Sequence, residues 1–95
     1  MRNYVFTLEA TQALESRVEY LYTQHATDAA DSLVAHIDRF LSHTVCTFPL
    51  MGRHIENKRI WEIWIPHTHT VLWYWFDDET LTVIALWHTA QDRLP

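Results

Sequence analysis

The spacing of apolar residues changes twice along the chain. Asn3–Leu8 alternates loosely and is rich in β-branched and aromatic residues, which predicts a first strand. From Ala10 onward apolar residues recur every three or four positions, as they do on one face of a helix. The predicted apolar stripe of this first helix consists of Ala10, Leu14, Val18 and Leu21.

A second helix is predicted after the polar stretch "HATDAADS", which interrupts the pattern. Thr27 or Asp28 is expected to accept the free amide hydrogens at its start. Because the connection is short, the two helices should pack as an antiparallel hairpin. The second stripe consists of Ala30, Leu33, Val34, Ile37 and Leu41.

The C-terminal half changes to strands after a turn marked by Pro49 and Gly52. Three strands are predicted at Arg59–Ile65, Val71–Phe76 and Leu81–Trp87, and the link "DDET" between the last two is typical of a hairpin. The order β-α-α-β-β-β predicts an α+β fold. In this fold an antiparallel meander, joined by the N-terminal strand, packs against the helical hairpin.

Both faces of this predicted sheet are apolar. Period-two spacing separates two sets of side chains on the strands. In the first of these strands Trp61, Ile63 and Ile65 lie on one side and Ile60 and Trp64 on the other. In the next strand Val71, Trp73 and Trp75 lie on one side, and Leu72, Tyr74 and Phe76 lie on the other. Two helices can cover only one face, so aromatic side chains remain on the other, and such a patch usually marks a partner site. The alternative is that termini and loops fold over it.

Composition limits the remaining possibilities. The length of 95 residues predicts one domain, and 48% apolar residues predict a globular one. The single cysteine, Cys46, excludes an internal disulfide, fits a reducing cytoplasm and is expected to be a small buried hydrophobe. No apolar run indicates a signal peptide or a membrane span. The net charge of −5 argues against a general nucleic-acid binder.

Metal and cofactor motifs are weak in this chain. One glycine cannot form a phosphate-binding loop, so no cofactor is expected. His67 and His69 lie two residues apart, and an extended backbone would point both rings the same way. They could form half of a metal site, but a complete site needs further ligands, and no metal is expected.

Cationic residues precede and follow the strands of the C-terminal half. Arg53, Arg59 and Arg93, together with Lys58, could stabilise a phosphoryl transition state with His88 as acid or base. The alternative is that the arginines form ion pairs or solvate an edge strand. The carboxylates available for such pairs are Glu56, Glu62 and Asp92.

Several stretches resemble the ParE/RelE superfamily of toxins from bacterial type II toxin–antitoxin modules. "ALESRVEYLYTQ" and "AADSLVAHIDRFL" resemble its two helices, and "FPLMGR" resembles the turn that follows them. "RIWEIWIPHTHTVLWYWF", with Tyr74, and "VIALWHTAQDR" are similar to its strands. Thr89 follows His88, and no tyrosine lies beyond Tyr74, so the chain looks closer to the ParE branch of plasmid-stabilisation proteins.

The resemblance implies a cytoplasmic toxin that is silenced by a cognate antitoxin, whose extended segment wraps the sheet and helices. A ParE-like toxin would act by contact with DNA gyrase, without sequence-specific DNA binding or membrane association. The target- and antitoxin-binding residues would be Arg53, Arg59, Trp61, Trp64, Trp73, Trp75, Trp87, His88 and Arg93.

Two alternatives remain open. One is a RelE-like, ribosome-dependent mRNA endoribonuclease using Arg53, Arg59 and His88, which the acidic net charge disfavours. The other is a non-toxic binding module of the same fold. In the ParE-like interpretation, His88 fixes the strand end and orients the segment Gln91–Asp92–Arg93 instead of catalysing.

Overall fold

The computed structural model describes residues 2–56 and 58–89. Five strands form one sheet in the order β1-β5-β4-β3-β2, in which β1 is parallel to β5 and the other neighbours are antiparallel. The elements are β1 (Asn3–Phe6), α1 (Leu8–Thr23), α2 (Thr27–Phe40), a π-helical turn (Leu41–Val45), a 3-10 turn (Pro49–Met51), β2 (Arg53–His54), β3 (Trp61–Ile65), β4 (Thr70–Phe76) and β5 (Thr80–His88). The predicted α+β fold is confirmed. The additional strand β2 has only two residues, too few for an alternating pattern to show.

The start of α1 differs from the predicted boundary. The strand was predicted to run to Leu8, but it ends at Phe6, and Thr7 is the N-cap of the helix. The hydroxyl oxygen of Thr7 accepts a hydrogen bond of 3.2 Å from the backbone N–H of Ala10. Because this cap satisfies one of the amides left free at a helix start, Leu8 becomes helical instead of extending the strand.

The connection between the helices corrects the predicted cap of α2. Neither Thr27 nor Asp28 caps the helix; Ala26 is the N-cap residue and makes no side-chain hydrogen bond there. His25 adopts a left-handed backbone with φ of 59°, and Ala26 N–H donates to the carbonyl of Leu21. This is the Schellman pattern that closes a helix. Because α2 begins at Thr27, directly after this motif, Thr27 and Asp28 lie inside the first turn of the helix and not at its N-cap.

The two helices and the π-helical turn cover one face of the sheet. In α2 the stripe residues Leu33 and Ile37 are buried as predicted, but Val34 is 44% exposed, which corrects its placement in the core. Residue pairs across β4 and β5 shift register between Trp73 and Tyr74, so a bulge lies in β5. The buried core consists of Ala10, Leu33, Ile37, Leu41, Val45, Cys46, Ile63, Ile65, Leu72, Tyr74, Leu81, Val83 and Leu86.

None of the helices in the described part of the chain combines the length and apolar composition needed to cross a bilayer.

Tyr74 joins the sheet to the turn that follows the helices. Its side chain is fully buried, and its hydroxyl donates a hydrogen bond of 2.6 Å to the carbonyl oxygen of Pro49. Burial disfavours the phenolate and raises the pKa of Tyr74 from 10.0 to about 12. Tyr4, which donates to Asp38, has its pKa raised to about 12 by burial and by that carboxylate.

The raised pKa of Tyr74 predicts a loss of stability at alkaline pH. The folded state favours the neutral phenol, so its contribution is complete below pH 10 and is lost as the pH rises towards 12. A shift of this size corresponds to about 2–3 kcal/mol of unfolding free energy. Urea unfolding between pH 9 and about pH 12 should therefore show a steep decline in wild type.

The variant Tyr74→Phe removes one of the two titrating groups and should make that decline shallower, leaving the comparable part due to Tyr4. The matched control is Tyr20→Phe, because Tyr20 is 53% exposed. It should follow the wild-type curve. An unchanged alkaline slope in Tyr74→Phe would contradict the assignment.

Candidate functional site

The face of the sheet turned away from the helices carries four tryptophans, which we call the aromatic face: Trp64, Trp73, Trp75 and Trp87. Val71 pairs with Trp64 on one side and Trp87 on the other, and it is 1% exposed beneath them. Trp64 is 60% exposed and Trp75 is 41% exposed. The predicted uncovered aromatic surface is therefore present on this face, among the residues that the structure describes.

Glu62 lies on the same face and links two of its neighbours. Its carboxylate accepts a hydrogen bond of 2.8 Å from the indole N–H of Trp73 and one of 2.9 Å from the guanidinium of Arg53. Trp73 in turn packs edge-on against Trp87, with ring centroids 5.3 Å apart. Burial opposes ionisation of Glu62, but the bonds from Trp73 and Arg53 outweigh it and hold the pKa of Glu62 below its ordinary value.

Replacing Glu62 by glutamine should destabilise the fold at neutral pH. An amide can accept from only one of the two donors, so the other loses its charge-assisted bond, at a cost of about 1–2 kcal/mol. The carboxylate contributes above its ordinary pKa of 4.5, and the contribution is lost as the pH falls through the lower folded-state pKa. The difference between wild type and Glu62→Gln should therefore disappear in acid.

Denaturant unfolding at pH 7 and below about pH 4 measures both effects. The matched control is Glu19→Gln on the exposed side of α1, which should change stability by less than about 0.5 kcal/mol. A cost that is the same at both pH values would contradict the charge-dependent role of Glu62.

The indole N–H of Trp87 is buried and has no hydrogen-bond partner among the residues described. A buried donor without an acceptor costs about 1–3 kcal/mol. A groove of about 580 Å³ between α1 and the end of β5 is also lined by Trp87, together with Arg17 and Tyr20. Trp87 therefore belongs to both the aromatic face and the groove beside the sheet edge.

An open cavity of about 840 Å³, which we call the end cavity, brings three of the predicted site residues together. Arg59, Trp61 and Trp75 line it, with His54 and Phe76. Trp61 lies on the helix side of the sheet, and its ring centroid is 4.8 Å from that of His54. Trp75 belongs to both surfaces, so the end cavity continues the aromatic face.

Arg53 and His88, which the nuclease hypothesis groups in one site, lie apart in the fold. Arg53 is 70% exposed and forms an ion pair with Glu62, one of the pairs that the sequence allowed. Across the sheet, Arg53 pairs with Glu62, Glu62 with Trp73, and Trp73 with Ala85, so three strand spacings separate Arg53 from β5. Arg53 therefore lies roughly 14 Å across the sheet and roughly 10 Å along it from His88. His88 pairs with Thr70 on the helix side, the opposite face.

His88 faces a separate set of groups. Its ring centroid is 6.0 Å from that of His69, and its pKa is lowered by burial and by the positive charge of Arg17 and His69. Gln91, Asp92 and Arg93 lie outside the described residues, so the predicted role of His88 in orienting that segment stays a prediction. Cys46 is buried, and burial raises the pKa of its thiol, which opposes nucleophilic use.

The expected extended backbone at His67 and His69 is wrong. Both residues lie in the turn 66–69 with left-handed φ angles of 66° and 54°, because the chain must reverse between β3 and β4. Within residues 2–56 and 58–89, no group of three or more histidine, cysteine or acidic side chains could hold a metal ion.

Two residues of the aromatic face were not among the predicted site residues. Glu62 orients Trp73 and Arg53, and Val71 forms the buried floor under Trp64 and Trp87. Alternation along "WEIWI" places Glu62 on the same face as Trp64, so the sequence carried this signal. The burial of Val71 depends on side chains of the neighbouring strands, so the local sequence around Val71 does not indicate it.

Comparison with known proteins decides the family. The family described as "ParE toxin of type II toxin-antitoxin system, parDE" matches residues 4–93, nearly the whole chain. The chain belongs to the ParE toxin family. The predicted ParE branch of the ParE/RelE superfamily is thereby confirmed.

A solved structure has a fold similar to that of this chain. The chain resembles a protein of the chromosomal ParDE TA system from P. aeruginosa with a TM-score of 0.69 and 12% identity. The match covers 90% of this chain and 94% of that one. At this identity the likeness shows the fold alone. None of the curated proteins matches the chain in sequence.

Proposed function

We propose that this ParE-family chain arrests growth in the cytoplasm by binding DNA gyrase, and that a cognate antitoxin neutralises it by occupying the aromatic face and the end cavity. The observation that carries the proposal is the exposed aromatic face itself. Large aromatic side chains that remain exposed in the free protein are the residues that dominate protein–protein binding energy.

The surface has the composition of an interface core. Trp64 and Trp75 are exposed, and Trp73 and Trp87 are less exposed. The ion pair between Arg53 and Glu62 lies beside them. An apolar centre with a charged group at its margin is typical of protein–protein interfaces. An antitoxin segment laid across this face would bury the two exposed indoles, and its backbone carbonyls are acceptors of the kind that the N–H of Trp87 lacks.

Contact with a target, rather than catalysis by the chain, fits the positions of the cations. Arg53 already pairs with Glu62, and His88 lies on the opposite face of the sheet. General acid–base catalysis requires groups within hydrogen-bond reach of one substrate. The separation of Arg53 from His88 therefore favours a binding toxin over the ribonuclease alternative.

The test is controlled expression of the full chain in bacteria, with and without a candidate antitoxin gene from its genomic neighbourhood. We expect growth arrest with a DNA-damage response, abolished by co-expression of the neighbouring gene. With purified gyrase, the chain should inhibit supercoiling and increase cleaved DNA, and a gyrase of unrelated origin that resists the chain serves as the specificity control.

Two outcomes would overturn the proposed target. New mRNA ends within translated frames, without DNA damage, would replace gyrase binding by ribosome-dependent cleavage. Normal growth at good soluble expression would leave a binding module without toxicity.

A further inference from the structure

A second site lies on the helix side of the sheet, away from the aromatic face. It is a cavity of about 240 Å³, which we call the histidine pocket, between α1, α2, the β3–β4 turn and the end of β5. Each of these elements contributes a basic side chain: Arg17 from α1, His36 from α2, His67 and His69 from the turn, and His88 from β5. The ring centroids of His36 and His67 are 6.5 Å apart, and those of His69 and His88 are 6.0 Å apart.

The turn that carries two of these histidines is firmly held. The hydroxyl of Thr68 donates to the carbonyl of Ile65 and accepts from the N–H of Thr70. The carbonyl of His69 accepts a hydrogen bond of 2.8 Å from the N–H of Thr89, which ties the turn to the end of β5. His67 and His69 both take left-handed backbone angles that non-glycine residues seldom adopt. Such conformations persist where the surroundings impose them and are concentrated at binding sites.

The pocket has the opposite charge character to the chain. The whole sequence carries 12 acidic residues and a net charge of −5, yet no acidic side chain among the described residues lines this cavity. The only ion pair between described residues is Arg53–Glu62, so the guanidinium of Arg17 has no carboxylate within 4.0 Å there and instead lies over the ring of Tyr20. Basic groups gathered without acidic neighbours attract an anion.

The hydrogen bonding of His36 shows which of its ring nitrogens can donate a hydrogen bond to a ligand in the pocket. Its Nδ1 lies 2.7 Å from the carbonyl oxygen of Ser32. Because a carbonyl only accepts, Nδ1 carries a proton, and Nε2 is the nitrogen that gains one when the ring becomes cationic. We propose that the histidine pocket binds a single tetrahedral oxyanion, either inorganic or a phosphomonoester, and takes up a proton as it does so. This site is separate from the proposed gyrase- and antitoxin-binding surface.

The coupling to protons follows from the groups that face one another. Without a ligand, burial and the nearby charges of Arg17 and His69 disfavour the cationic form of the His88 ring and lower the pKa of His88. A bound dianion reverses the sign of the local charge and favours the imidazolium form. Affinity should therefore increase as the pH falls, by on the order of tenfold per pH unit for each proton taken up.

Histidine ring NMR titrations of the full chain, with and without sulfate, test this directly. Sulfate remains a dianion across the range, so only the protein titrates. We expect sulfate to raise the pKa of His88, which burial and the charges of Arg17 and His69 lower in the free chain. The ring resonances of His25 and His54, which do not line the pocket, should not respond to sulfate. Inorganic phosphate should instead bind best at an intermediate pH, because its own dianion is lost in acid.

Variants test the named residues by calorimetry with the same anions. Arg17→Gln and His36→Gln each preserve helix formation and should weaken sulfate binding at pH 6 by about tenfold. His69→Asn keeps a residue that tolerates its backbone angle and should have a similar effect. The matched controls are Arg39→Gln and His25→Asn, since His25 also has a positive φ of 59° but lies in the α1–α2 turn.

The relative affinities of two ligands show whether the bound anion is a phosphomonoester or an inorganic ion. Adenosine monophosphate binding at least as tightly as inorganic phosphate would assign a phosphomonoester, and the reverse order would assign the inorganic ion. Equal losses in the control variants, or histidine titrations unaffected by sulfate, would overturn the pocket. Normal growth arrest in His36→Gln, at a residue that lines the histidine pocket but not the groove beside Trp87, would confirm that this site is independent of the proposed toxic surface.

Discussion

Gly52→Ala lowers the free energy of unfolding by an expected 2–4 kcal/mol, or about 10–30 °C in the melting temperature of a chain this size. A Cβ at Gly52 would lie 2.5 Å from the hydroxyl oxygen of Tyr74 and 2.7 Å from the backbone oxygen of Glu62. Neither atom can retreat easily, because the Tyr74 hydroxyl is bonded to Pro49 and Glu62 lies within β3. The φ angle of Gly52 is −74°, an ordinary value. Glycine is required there for space and not for conformation.

Two variants distinguish the clash from a general effect of alanine in the turn. Met51→Ala, at a position 47% exposed, should cost less than about 1 kcal/mol. In the double variant Gly52→Ala/Tyr74→Phe the hydroxyl clash is absent, so its cost should be smaller than the sum of the two single costs. Denaturant unfolding measures all four proteins. Additive costs, or a Gly52→Ala variant as stable as wild type, would contradict the close packing of β3, Tyr74 and the turn.

Trp64→Ala and Trp75→Ala should each weaken antitoxin binding by about 10–100-fold if the aromatic face is the binding surface. Both side chains are more than 40% exposed in the free chain, so their truncation should change stability little while it removes most of the contact area. Calorimetry with the product of the neighbouring gene measures the loss. The double variant should also fail to inhibit gyrase.

Phe48→Ala is the matched control for these substitutions. Phe48 is 63% exposed, close to the 60% of Trp64, but it lies before the 3-10 turn and not on the sheet face. It should bind antitoxin as wild type does. Wild-type antitoxin affinity in both tryptophan variants would show that the antitoxin binds another surface, such as the groove between α1 and β5. Loss of antitoxin binding with retained gyrase inhibition would show that the two partners use different residues.

The site was partly predictable because alternation along a strand is a local property. The residues Trp64, Trp73 and Trp75 could be assigned to one side of their strands from spacing alone, and the structure places them on one face. His67 and His69 show the limit of the same argument. The rule assumed an extended backbone, and the tight reversal between β3 and β4 gave both residues left-handed angles instead.

Convergence of distant residues was not predictable. Arg53, Arg59 and His88 were grouped by residue type, but only the strand order and register show that Arg53 and His88 lie on opposite faces. Similarly, His36 and Arg17 lie on helices and carry no motif. They face His67 and His69 only because the helices pack against that end of the sheet.

The order of the two helices and the longer strands, the family and the two apolar faces of the strands follow from the sequence, since these depend on periodicity and on motifs within short segments. The tertiary structure decided which face the helices cover. It also decided that the single glycine sits against Tyr74, that Glu62 links Arg53 to Trp73, and that basic residues from four elements enclose one pocket. These features depend on contacts between residues far apart in the chain, and such contacts are set by packing and register rather than by local pattern.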